Sequence, residues 1–191
     1  MFDLPKSVEI RGKSIPIRYD FRAILDILCV VNDPELTEEE KTLTSLSIFY
    51  HDLSEIDDFE EAVKQLLFFI ACGEEDTGNA NEPQLVNWEK DAPRIIPAVN
   101  RVLGYESRSI EYNEESNTGG VHWYTFIGAY MEIGDCLFAQ VVRIRDKVKR
   151  GKKLDKEERE WYKKNRNIVD VTAKFTDREE EFLKSLFAKN K

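Results

Sequence analysis

Between His122 and Arg150 the chain repeats large apolar residues at steps of three and four: Trp123, Phe126, Ile127, Tyr130, Ile133, Leu137, Val141, Ile144 and Val148. That period belongs to a helix. It predicts one long central helix over 122–150, roughly 40 Å in length at 1.5 Å per residue. The opposite face of its first half also carries Tyr124, Met131 and Phe138, so that half is expected to be buried nearly all round. Gly128 and Gly134 each cost about 1 kcal/mol relative to Ala inside a helix, which predicts close packing against another backbone. A helix this apolar needs partners.

The rest of the chain supplies them. Phe21, Ile24, Leu25, Leu28 and Val31 form a stripe behind a capping Asp20, and Pro34 ends that element. Thr37 and Glu40 have the spacing of a capping box, followed by Leu43, Leu46, Phe49 and Tyr50 on one face. Asp57 or Asp58 starts the next helix, with Phe59, Val63, Leu66, Leu67 and Ile70 towards the core. Trp88, Ile95, Ile96, Val99, Val102 and Leu103 mark another, closed by Gly104; Pro93 can open it, and Pro97 is expected to kink it or split it in two. Two more boxes, Asp155 with Glu158 and Thr176 with Glu179, start the C-terminal helices over 155–191, the last carrying Phe182, Leu183, Leu186 and Phe187.

Strand signals are confined to residues 1–18. Ser7–Arg11 and Ser14–Arg18 alternate apolar and polar about a Gly12-Lys13 turn, and Pro16 marks the second strand as an edge. The predicted fold is mainly α: one domain over 1–191, five to seven helices, a small N-terminal β-hairpin and the long central helix. Two loops interrupt it, an acidic linker at 73–84 and a second loop at 113–120.

At 191 residues such a fold needs neither disulfide nor metal for stability. Three cysteines, Cys29, Cys72 and Cys136, stand singly in apolar segments and read as reduced thiols in a core. No stretch approaches a membrane span, and the start lacks the layout of a signal peptide. The expectation is a soluble intracellular protein.

The motifs of catalysis are missing. His51 and His122 have no metal ligand at motif spacing and read as a polar residue and a helix cap. Gly12-Lys13-Ser14 is not a phosphate loop, because that loop needs a glycine where Ser7 stands. No nucleophile elbow or dinucleotide fingerprint occurs, and the adjacent acids Asp57-Asp58 and Glu74-Glu75-Asp76 belong to a cap and a linker. Catalytic, cofactor and metal residues are therefore expected to be none.

Charge carries the one functional signal. Residues 1–142 hold 11 basic and 27 acidic side chains, a net −16, whereas residues 143–166 hold 12 basic and 5 acidic, a net +7. Part of that block suits the end of a helix before Gly151, where cations complement the dipole. The rest makes Arg143, Lys149, Lys152, Lys153, Trp161 and Tyr162 candidate partner-binding residues. Protein is favoured over nucleic acid as partner, since a body of −16 repels a phosphate backbone.

Several segments together resemble the bacteriophage gene-product-fifteen family. They are the opening Met1 to Ile10 with Tyr19-Asp20-Phe21-Arg22, then Trp88 to Ala92, Val121 to Phe126, Arg143-Ile144-Arg145, and Gly151 to Glu158. Their order and spacing match over about residues 1–170. Tyr124 stands where the family often has a second tryptophan, and Pro93 and Pro97 depart from its pattern. The resemblance implies a protein of siphophages and prophages of Gram-positive bacteria, encoded among tail genes near the tape-measure gene, with no catalytic residues to carry over. It implies a non-enzymatic role in tail morphogenesis in the host cytoplasm, as an assembly chaperone for the tape measure protein. A structural tail component, or a nucleic-acid-binding accessory protein using 143–166, are the alternatives. The implied partners are phage tail proteins, with self-association open and no membrane.

Overall fold

The computed structural model describes residues 3–74 and 83–170. Strands β1 (Ser7–Ile10) and β2 (Lys13–Pro16) pair antiparallel, with Ser7 opposite Pro16 and Ile10 opposite Lys13. The turn is Arg11-Gly12, one residue earlier than expected. Both residues take positive φ, 48° and 79°, the combination that matches the twist of a two-residue hairpin. Arg11 pairs with Asp58 at 2.8 Å and Lys13 pairs with Asp57, so the hairpin is fastened to the helix those aspartates start.

The first three helices begin where their caps predict. Asp20 accepts from the Arg22 amide to open α1 (Phe21–Val31). Thr37 and Glu40 exchange both bonds of the capping box at the head of α2 (Glu38–Phe49). Asp58 accepts from the Glu61 amide to open α3 (Phe59–Ile70). The buried face of α3 is Ala62, Leu66 and Phe69, rotated from the expected stripe, and Phe59 and Leu67 are left exposed. Phe69 sets this rotation by packing its ring 5.3 Å from Phe49 and 5.6 Å from His122.

Helix α4 (Trp88–Leu103) runs through both Pro93 and Pro97 without splitting. Each proline removes one backbone donor, while the buried face of Asp91, Ile95, Ile96, Ala98 and Val99 holds the helix in place. Gly104 ends it in the left-handed conformation, φ 79°.

The expected helix over 122–150 is two helices, α5 (Trp123–Met131) and α6 (Leu137–Lys149). Gly134 takes φ 57° in the break, and Cys136 caps α6 by accepting from the Ala139 amide at 3.4 Å. Ile133 is buried inside the break and Arg101 donates to its carbonyl. The apolar period therefore continues through residues that are not helical. Met131 is 75% exposed and Leu137 is also exposed, so burial is one-sided at the junction. A Cβ on Gly128 would meet nothing within 4 Å, so no backbone packs close to it. Eight helices stand among the described residues, because 122–150 supplies two and the single turn α8 (Arg166–Val169) follows α7 (Lys156–Lys164). The Thr176 box and the Phe182 to Phe187 strip lie outside the described residues, as does most of the 73–84 linker.

At the centre lies the extended run Ile17–Phe21. The Arg18 amide donates to the Phe49 carbonyl, Phe21 to Val121, and Trp123 back to Tyr19. Strands are not confined to residues 1–18: at the 113–120 loop, β3 (Tyr112–Asn113) and β4 (Thr118–Gly119) form a second hairpin that begins one residue before the loop. Its Asn117 amide group donates to the Ile17 carbonyl at 2.9 Å. Asp20 is buried among these segments and accepts from the Val121 amide at 2.8 Å. The core continues through Phe21 and Phe126, stacked at 4.5 Å, to Trp123.

Candidate partner-binding surface

The basic block occupies the last turns of α6, the turn at Gly151 and the whole of α7. Lys147 and Lys149 lie in the last turn of α6, where the dipole favours cations, and Gly151 closes it at φ 65°. Helix α7 starts at Asp155, which exchanges both capping-box bonds with Glu158. Lys147 reaches Glu158 at 2.5 Å and ties the two helices.

Much of the block's charge is matched within the fold. Arg150 pairs with Asp146 at 2.5 Å, Lys152 with the same carboxylate at 3.5 Å, and Arg166 with Asp170 at 2.8 Å. Arg145 points inward and is only 3% exposed. Its guanidinium grips Asp91 of α4 at 2.6 and 3.0 Å. It also donates to the carbonyls of Leu85, Ile168 and Val169. This buried fork with every donor nitrogen engaged joins α4, α6, α8 and the chain before α4.

Of the candidate residues, Arg143, Lys149, Lys152 and Lys153 are exposed. Lys149 donates to the Gln84 carbonyl across a groove of about 360 Å³ lined by Leu28, Asn32, Asp33 and Trp88. Trp161 and Tyr162 are half-buried on α7, and the Tyr162 hydroxyl donates to Asp170 at 2.7 Å, which pushes its pKa up. The surface thus combines exposed cations with two half-buried aromatic rings that no other residue covers fully. Such an arrangement can dock a protein.

The histidines take structural places. His122 caps α5: its Nδ1 accepts from the Tyr124 amide at 3.0 Å, so Nε2 carries the proton and donates to the Pro5 carbonyl at 2.8 Å. Burial pushes its pKa down, and nearby Lys6 adds to the shift. His51 also has a lowered pKa, through burial and then Arg18, and its Nε2 is buried without a hydrogen-bond partner. The three cysteines are half-buried and not joined to one another by disulfides, and burial raises the Cys72 thiol to about 11. Among the described residues no group of three or more His, Cys, Asp or Glu is placed to hold a metal ion.

The sequence reading missed the buried Asp91–Arg145 pair, whose partners come together only in the fold; it read Asp20 as a cap but not its ion pair with the partly exposed Arg22 two residues on. The available signal was position: Asp91 and Arg145 each fall on the apolar side of their helix.

Both residues of the Asp91–Arg145 pair lie in segments that carry the family resemblance. The family model described as Bacteriophage Gp15 protein matches residues 1–171. The chain belongs to that family. It is therefore a phage protein, and the Gp15 match spans all the described residues. No curated protein and no solved structure matches the chain. Among the described residues of this Gp15 protein, no helix is long and apolar enough to cross a membrane.

Proposed function

We propose that this Gp15 family protein acts without catalysis as a phage tail-assembly chaperone. It would bind a tail protein, the tape measure first among them, in the host cytoplasm. The observation that carries the reading is the surface of α6 and α7, where exposed Arg143, Lys149, Lys152 and Lys153 flank half-buried Trp161 and Tyr162. Aromatic anchors rimmed by cations suit a protein partner with an acidic rim and an apolar centre. The Asp91–Arg145 fork supports the same reading, because it presents α7 and α8 on a fixed base.

The test is to change Lys149, Lys152 and Lys153 together to Glu. Tagged wild type and variant are then compared in pull-down from cells expressing the neighbouring tail genes, and in DNA retardation. Loss of tail-protein capture, with no DNA shift in either form, is the expected result. A wild-type DNA shift abolished by the triple change would instead establish the nucleic-acid reading.

A further inference from the structure

Helix α7 forms the outer part of the basic surface, and its exposed charges alternate in sign. Lys156, Lys163 and Lys164 are exposed, and so are Glu157 and Glu160. Glu158, between the two acids in sequence, is largely buried and is taken up by Lys147 and the Asp155 amide. Glu157 lies in the first turn, where the helix dipole favours an acid. Glu160 lies beyond it. It stands four residues from both Lys156 and Lys164, about 6 Å along the axis to each side, and among the described residues it forms an ion pair with neither.

That step is shorter than the screening length, about 8 Å at physiological ionic strength. An anion that approaches Lys156 or Lys164 is therefore also repelled by Glu160. The consequence differs between the two kinds of acidic partner. From Lys156 to Lys164 the helix spans about 12 Å. Duplex DNA laid along that span presents roughly seven phosphates, at about one per 1.7 Å of axis. None of them can be left out opposite Glu160. A polypeptide can leave a carboxylate out, because its charges are set residue by residue.

Resting on the reading of α6 and α7 as a partner-binding surface, we propose that Glu157 and Glu160 set its specificity. They reject a continuous polyanion and admit an acidic protein segment whose carboxylates stand about 12 Å apart, with a neutral residue between them. One carboxylate of that segment meets Lys156, and the other meets Lys163 and Lys164. The repulsion is local to α7, unlike the −16 of residues 1–142.

The test compares two double changes of equal charge. One is Glu157→Gln with Glu160→Gln on α7; the other is Glu35→Gln with Glu39→Gln, two exposed acids at the start of α2. Each full-length protein is titrated against a duplex of about 30 base pairs in retardation at about 50 mM salt. Each is also tagged for pull-down from cells expressing the neighbouring tail genes. The α7 change should raise DNA affinity at least tenfold over wild type, and the α2 change should stay within twofold. Adding Lys156→Gln and Lys164→Gln to the α7 change should return DNA affinity to the wild-type level, which places the gained binding on this helix. Capture of tail protein should survive the α7 change within twofold. Equal gains in both doubles would overturn the proposal, because net charge alone would then govern DNA binding. So would no gain in either, or a wild type that already shifts DNA. Loss of tail-protein capture in the α7 change would also overturn it, since the acids would then be contacts with the partner. A wild type that captures no tail protein would overturn the chaperone reading instead, and the retardation result would still decide the role of Glu157 and Glu160.

Discussion

Gly128 and Gly134 stand six residues apart in one apolar run, and a methyl group should act on them in opposite directions. Gly128 sits inside α5 with open space around its Cα, so Gly128→Ala should stabilise the protein by roughly 0.5–1 kcal/mol. Gly134 holds φ 57° in the break before α6, so Gly134→Ala should cost about 1 kcal/mol. Urea midpoints of the two variants check both signs. His122 gives a third residue-scale test. Its ring caps α5 only when Nδ1 is unprotonated, and burial keeps its pKa below the ordinary value near 6.5. The unfolded chain therefore takes up the proton first as pH falls. The stability that His122 contributes is complete above about pH 6.5 and is lost as pH drops through the lower folded value. Unfolding measured at pH 7.5 and 5.5 should show this loss in the wild type. His122→Asn, a cap that does not titrate, should reduce the difference, and an unchanged difference would contradict the assignment.

At the scale of elements, the fold hangs on contacts between helices that are distant in sequence. Asp91 and Arg145 are both buried, so Asp91→Ala should cost about 3–5 kcal/mol by leaving a buried cation unpaired. The double change Asp91→Leu with Arg145→Met should cost clearly less than the sum of the singles, and additive losses would show that the pair is not coupled. Trp123→Ala should cost a similar 3–5 kcal/mol, since its ring is fully buried and its indole donates to the Ile70 carbonyl. These elements differ in how far they could be read from sequence. Caps are local, so Asp20, Thr37, Gly104 and Asp155 were legible from spacing alone, and Asp58 as one of two adjacent candidates. The break at Glu132–Cys136 was not, because Ile133 keeps the helical period while its backbone leaves the helix. The rotation of α3 was hidden for a related reason: several apolar faces were available, and only the rings of Phe49 and His122 decide among them. The basic surface was visible as composition. The inward turn of Arg145 and the orphaned Ser45 hydroxyl depend on packing that no local pattern encodes.

At the scale of the whole molecule, charge is divided between an acidic body and a basic end, −16 against +7 along the sequence. Several of the basic charges are matched internally, which lowers the field available to attract a phosphate backbone. If DNA were the partner through six to ten phosphates, affinity should fall by about 10³ to 10⁵ between 50 and 200 mM salt. A protein interface centred on Trp161 and Tyr162 should lose much less, because burial of apolar area is not screened. The central claim is that the chain acts during tail assembly and does not belong to the finished particle. Quantitative mass spectrometry of purified virions and of lysates arrested before tail completion tests it most directly. The account predicts this chain in complexes with tail proteins in the arrested lysate and its absence from virions; a fixed stoichiometric copy number in virions would contradict it.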